Sequence, residues 1–161
     1  MKLTQNGGNW RVDLEGPVGE KTPLFTLKLD GAKDLTLDMS QTTYINSIGV
    51  KQWIVWTLRI PKDCQIHILN APFVIANQAS SVMGFMSKNM RIESIRVPYL
   101  CKDCGAEGTQ TLERGKHYEY ASAGRTRMLN LPTGLTCPRC GKPRFEPDFA
   151  LEKTFMFLET T

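Results

Sequence analysis

The sequence predicts a mixed α/β body that runs on into a small, β-rich, metal-held module. Three observations carry that expectation. Up to about residue 99, short alternating apolar runs are separated by helix-like stretches of roughly 10–15 residues. Four of the five cysteines then fall in two C-x-x-C-G pairs, at 101–105 and 137–141. The composition, 41% hydrophobic and 22% charged over 161 residues, is that of a folded chain with enough apolar material for a core.

The first strand is written in WRVDLEG, where Val12 and Leu14 alternate with charged neighbours, the period-2 mark of a half-buried strand. In PVGEKTPLFTLKLDGAKD, the residues Leu24, Phe25, Leu27 and Leu29 fit a short helix or a strand. LTLDM alternates again and reads as a buried strand. From Ser47 to Ile60 the pattern is helical, with Trp53, Ile54, Trp56 and Leu58 on a broad apolar face and Pro61 as the stop. Trp53 and Trp56 are three apart and share a face, so at least one belongs to the core. QIHILN is a strand. PFVIANQASSVMGFMSKN reads as a helix that starts with a proline in its first turn and ends near Asn89. RIESIRV is a last strand, in which Ile92, Ile95 and Val97 alternate imperfectly. Strands joined through helices imply βαβ units with right-handed crossovers and a sheet that is at least partly parallel.

The character changes near Tyr99. Cysteine pairs, glycines and prolines take over, with short strand-like pieces in TQTLERG and RTRMLNL. The expected division is therefore 1–99 for the α/β body and 100–161 for the extension.

Cys101-Lys-Asp-Cys104-Gly105 and Cys137-Pro-Arg-Cys140-Gly141 repeat one local device. Each turn brings two thiolates to one side, and the glycine supplies the positive φ that closes it. Two such turns make a tetrahedral four-sulfur site, the donor set that suits zinc, with no coordination position left for chemistry. The long segment between the pairs calls for an extended hairpin. Cys64 reads as a core residue, His67 as a strand residue and His117 as an outside candidate for the metal. The closing PDFALEKTFMFLE predicts a short helix capped by Asp148, with Leu151, Phe155 and Leu158 along one side, docked on the body or on a second subunit in a homodimer.

The stretch TYINSIGV joins a strand to a helix through a small polar pair and a glycine. A serine at such a joint serves as a helix cap. Taken with DLTLDMSQTTYINSIGVKQW and QIHILNAPFVIANQASSVMGFMSKNMRIESIRV, the order of elements resembles the STAS domain of bacterial anti-sigma factor antagonists and sulfate-transporter tails. The resemblance covers residues 10–98. The family's Asp-Ser-x-Gly turn is matched by Asn46, Ser47, Ile48 and Gly49, and its Met-Ser-Lys segment by Met86, Ser87 and Lys88. It implies a STAS-like mixed sheet with flanking helices, extended by a zinc-ribbon-like module.

The resemblance also implies a non-enzymatic signalling role. A protein partner, an anti-sigma factor or serine-kinase-like protein, would bind the surface around the turn and phosphorylate Ser47. Lys51, Gln52 and Trp56 are expected in the exposed part of that surface. Asn46 replaces the family's aspartate, which removes a negative charge beside the hydroxyl.

Other classes fit less well. The net charge of +4 is mild, and no basic stripe emerges. The alternative is nucleic-acid binding through the cysteine module, where Arg125, Arg127, Arg139, Lys142 and Arg144 cluster with Phe145 available for stacking. GPVGEKT lacks the spacing of a phosphate loop, and no catalytic set is visible, so the chain is expected not to be an enzyme. No secretory leader and no membrane span are read in the sequence, and a cytoplasmic location is expected.

Overall fold

A computed structural model describes residues 1–159. In chain order the body comprises β1 (Lys2–Asn6), β2 (Asn9–Val18), a 3-10 turn (Pro23–Thr26), β3 (Asp34–Ile45), α1 (Ser47–Thr57), β4 (Gln65–Leu69), β5 (Ala71–Pro72), α2 (Phe73–Ser81) and β6 (Met90–Ile92). There follow β7 (Ser94–Cys101), β8 (Glu107–Glu113), β9 (Tyr118–Glu119), β10 (Met128–Leu129), β11 (Phe145–Pro147), α3 (Leu151–Thr154) and a closing 3-10 turn (Met156–Glu159).

The main sheet has the order β1-β2-β3-β4-β6 and is parallel from β2 onward, with β1 antiparallel at its edge. Leu35, Leu37 and Met39 of β3 and Ile66 and Ile68 of β4 are fully buried. The period of two in β3 breaks after Met39. The next buried positions are Thr42 and Ile45, because β3 carries one extra residue against β2 between Asp13 and Glu15 and another between Gly16 and Val18. Such bulges bend the strand. The bend delivers Ile45 and the start of α1 beside the end of β2, where Asn46 donates its amide to Val18 O at 3.1 Å.

The second sheet is built on β7. Its first residues pair parallel with β5, its last pair antiparallel with β11, and β8 runs antiparallel along its other edge. β6 and β7 are therefore two strands in two sheets, where one was expected. The chain changes sheets at Glu93, whose amide donates to Ile68 O at 2.8 Å while its carbonyl accepts from Arg114 N at 2.9 Å. The imperfect alternation of RIESIRV is this phase slip, with Ser94 and Ile95 consecutively buried.

Three other expectations are corrected. α2 ends at Ser81, eight residues short of Asn89, because Val82 is extended and Gly84 takes φ +81°. The freed loop sends Phe85 back to stack on Trp53 at 5.0 Å, and its carbonyl accepts the Trp53 indole N–H at 2.8 Å. Residues 20–33 hold only one 3-10 turn. The cap of α3 is Ala150, with no side-chain bond, so Asp148 does not cap it.

The tail does dock on the body. Ser80 Oγ donates to Thr154 O at 2.5 Å and Thr154 Oγ1 meets Asn77 Oδ1 at 3.2 Å, both across α2. Phe155, Phe157 and Leu158 are buried among Tyr118, Tyr120 and Phe149. Two tyrosines close the exposed edge of β6. Tyr118 OH donates to Ile92 O at 2.7 Å, and Tyr120 OH accepts the Ile92 amide at 2.9 Å, so this edge offers no free ladder groups at Ile92.

Candidate functional site

The first of the two cysteine turns is the loop of the β7–β8 hairpin. Cys101 ends β7, its amide donates to Ala106 O at 2.8 Å, and its carbonyl accepts from Gly105 N at 2.9 Å. The second turn repeats both bonds: Cys137 N donates to Lys142 O at 2.8 Å and Gly141 N donates to Cys137 O at 3.0 Å. Gly105 and Gly141 adopt φ +72° and +73°, the left-handed conformation that a side chain would strain. β11 then pairs Phe145 with Cys101, and Lys102 N donates to Arg144 O at 2.9 Å, which holds the two turns face to face.

Four sulfurs converge there. Cys101 and Cys140 lie 3.7 Å apart, Cys104 and Cys137 3.6 Å, and all four ligand atoms fall within 4.8 Å of one another. A disulfide needs about 2.05 Å. Four sulfurs at about 2.3 Å from a tetrahedral centre are separated by about 3.8 Å. The quartet has the second spacing and can hold a metal ion. Backbone donors favour the anionic form. The Ala106 amide is the main cause that brings the Cys104 thiol down to about 6, and the Cys140 and Arg139 amides lower that of Cys137. Cys101 and Cys137 are buried, Cys104 half-buried, and Cys140 at the surface.

The other candidates lie elsewhere. Cys64 is fully buried in the body and takes no part in the cluster. His117 is not a ligand: its Nδ1 accepts the Glu113 amide at 2.9 Å in the turn after β8. His67 Nδ1 pairs with Glu93 at 2.7 Å. Phe145 is buried beside Tyr99 at 5.6 Å, and its ring tip sits 2.7 Å from where a Cβ on Gly108 would be, so it is not available for stacking. Four of its five basic neighbours have partners, while Arg125 is exposed. Arg127 pairs with Glu152 and Glu159, Lys142 and Arg144 face Asp103, and Arg139 donates to Cys104 O.

The turn at residues 46–49 is built differently from expectation. Asn46 is the cap, its Oδ1 accepting from Gly49 N at 2.7 Å, and Ser47 is the first helical residue with its side chain exposed. Gly49 is buried: a Cβ there would lie 2.4 Å from Val18 O and 2.9 Å from Ile45 Cγ1. Trp56 is also buried, at 1% exposure, so both tryptophans belong to the core. Lys51 is exposed and Gln52 half-buried.

Tyr44 at 53% and Ile48 at 45% exposure flank Ser47. A cleft of 290 Å³ is lined in part by Tyr44, Asn46 and Lys21, and another of 510 Å³, further along α1, in part by Gln52, Val55 and Lys21; Ser47 and Ile48 line neither. Sequence reasoning missed Tyr44 and Ile48, whose only signal is an apolar residue at a solvent phase. Together these features define a mixed α/β protein with a four-cysteine cluster and one exposed strand-to-helix joint. No protein-family model matches the chain, and no curated protein matches it. Among the described residues, no helix is long and apolar enough to cross a membrane.

Proposed function

We propose that the chain is a non-enzymatic, bacterial signalling protein of the STAS, anti-sigma factor antagonist type. It binds a protein partner through the surface around Asn46, Ser47 and Lys51 and is braced by a structural zinc. The observation that carries the reading is the exposure of Ser47 between the exposed Tyr44 and Ile48, beside the cleft that Tyr44 and Asn46 line. A hydroxyl at the first turn of an 11-residue helix is a tolerable place for a phosphate, since it lies at the positive end of the helix dipole. The dianion would then repel an acidic partner or stay wet in a dry interface. Asn46 supports this arrangement, because its amide oxygen supplies the capping acceptor that the family's aspartate would supply.

The metal reading rests on four cysteine sulfurs at tetrahedral spacing, a donor set that fills a four-coordinate shell and favours zinc in a closed, structural role. When bound, the ion joins β7, β8 and the segment before β11 at one point.

The test is recovery of a partner on immobilised protein in three forms: wild type, Ser47→Asp and Ser47→Ala. The expected result is a specific partner held by wild type and by Ser47→Ala and released by Ser47→Asp. Equal recovery by all three forms removes the switch, and turnover of a small substrate removes the non-enzymatic reading.

A further inference from the structure

The far end of α1 meets the loop that follows α2, and this junction has an uncommon surface. Thr57 Oγ1 donates to Gly84 O at 3.2 Å, and Asn89 Nδ2 donates to Pro61 O at 3.2 Å, so residues 57–62 and 83–89 form one face. Next to the bonded Thr57 and Gly84 stand Leu58, 81% exposed, and Met83, 97% exposed. Next to the bonded Pro61 and Asn89 stand Lys62 and Lys88, both exposed.

Along this stretch of the chain the charge is one-sided, while across the chain Asp30 borders Arg59 and Pro61. Between Asp38 and Glu93 the sequence contains a single acidic residue, Asp63, and that residue is paired with Lys33. The cations of the same span are Lys51, Arg59, Lys62, Lys88 and Arg91. Arg59 reaches Phe25 O and Arg91 lies over the Tyr120 ring, which leaves Lys51, Lys62 and Lys88 facing solvent.

We propose that this face docks reversibly on anionic lipid bilayers, with Leu58 and Met83 entering the headgroup region and Lys62 and Lys88 meeting the lipid charge. Two side chains at such exposure protrude, and a protruding pair suits a deformable lipid surface better than a shaped protein groove. Their flexible, apolar chains bury area on insertion, and lysines beside them add attraction that requires anionic headgroups. A second copy of the chain is disfavoured, because the symmetric contact would place lysines against lysines. The site is distinct from the Ser47 surface at the opposite end of α1.

The experiment is co-sedimentation of the whole protein with vesicles of phosphatidylcholine alone or containing about a third phosphatidylserine, at low and raised salt. Wild type is expected to sediment with the anionic vesicles only and to be released by salt. Leu58→Ser/Met83→Ser and Lys62→Glu/Lys88→Glu should each lower the bound fraction about tenfold, whereas Ser47→Asp should leave it unchanged. Single Met83→Ser, at a loop tip, keeps the comparison valid if a double variant melts early. The inference is overturned by absence of sedimentation at low salt, by equal sedimentation with neutral vesicles, or by double variants that bind as wild type. Retention on immobilised polyglutamate without vesicle binding also overturns it and assigns the face to an acidic protein.

Discussion

The side-chain oxygen of Asn46 accepts the backbone N–H of Gly49 at 2.7 Å, and the same residue's amide donates to Val18 O at 3.1 Å. One residue thus joins three elements: its side chain caps α1, and its backbone N–H ties the end of β3 to the end of β2. Asn46→Ala leaves the helix without its cap and should cost about 1 kcal/mol. Asn46→Asp keeps the acceptor and adds a charge at the favourable end of the helix dipole, so it should match or exceed wild type at neutral pH. Urea unfolding of the three proteins checks this; equal loss in both variants would show that the acceptor is not what holds the turn.

Gly49 has a different task. A methyl group there would meet Val18 O at 2.4 Å, backbone against backbone, with no flexible neighbour to give way. Gly49→Ala should therefore destabilise by about 2–3 kcal/mol, seen as an earlier urea midpoint with an unchanged slope. A neutral effect would mean that α1 can retreat from β2 freely.

Much of this architecture was legible because it is local. Period-2 alternation found β2, β3 and β4, a proline marked the start of α2, and C-x-x-C-G spacing found all four sulfurs. The misses have physical causes. β1 is exposed along its whole length, so it carries no alternation, and its only signal is the Gly7-Gly8 hairpin turn before Asn9. The switch at Glu93 is set by which sheet offers a partner, a non-local choice. The exchange of cap from Ser47 to Asn46 moves one residue along the chain, and both residue types serve as caps. α2 ended early because Phe85 gains a stacked contact with Trp53 that a continued helix would forgo.

The tail depends on its aromatic cluster. Phe155 is fully buried against Tyr118, Phe149 and Phe157, with ring centroids 5.7, 6.1 and 5.8 Å away. Phe155→Ala should cost about 3–5 kcal/mol and release the tail from α2. Faster tryptic cleavage at Lys153, against an unaltered rate at Lys51, is the expected signature.

His117 makes stability depend on pH. Its Nδ1 accepts the Glu113 amide at 2.9 Å, which requires a neutral ring. Desolvation first, then nearby Lys116, hold its pKa below the ordinary value of 6.5, against the pull of Glu113. The folded form thus prefers the neutral ring, so this contribution is complete above about pH 6.5 and is lost as pH falls through the depressed value. The ring is half-exposed, and the change in melting temperature should be only a few degrees. His117→Gln keeps an acceptor without titrating, and its melting temperature should vary less than wild type between about pH 7 and 5. Parallel curves would assign the pH dependence to other groups.

The four-sulfur centre decides how the second sheet responds to metal removal. β7 is held by backbone pairing to β5, β8 and β11, and its core residues Ile95 and Val97 are buried independently of the cysteines. Without an ion, the two turns and the segment from about 136 to 143 keep few ties to the rest, chiefly the Lys102–Arg144 and Leu135–Phe145 backbone bonds. Chelation should therefore open Lys102, Arg139 and Arg144 to trypsin while β7 persists; Lys142 precedes Pro143 and is no tryptic site. The three tryptophans lie at positions 10, 53 and 56, and two of them are buried at 0% and 1% exposure, so their fluorescence should stay native. Four thiols should become titratable with the release of one zinc, and Cys64 should react only on unfolding, since burial shields it and pushes its thiol pKa up. Cys137→Ser should mimic the chelated protein without chelator. If the purified chain binds no zinc, or if tryptophan emission collapses together with the tryptic pattern, the centre is either not a zinc site or not confined to this module.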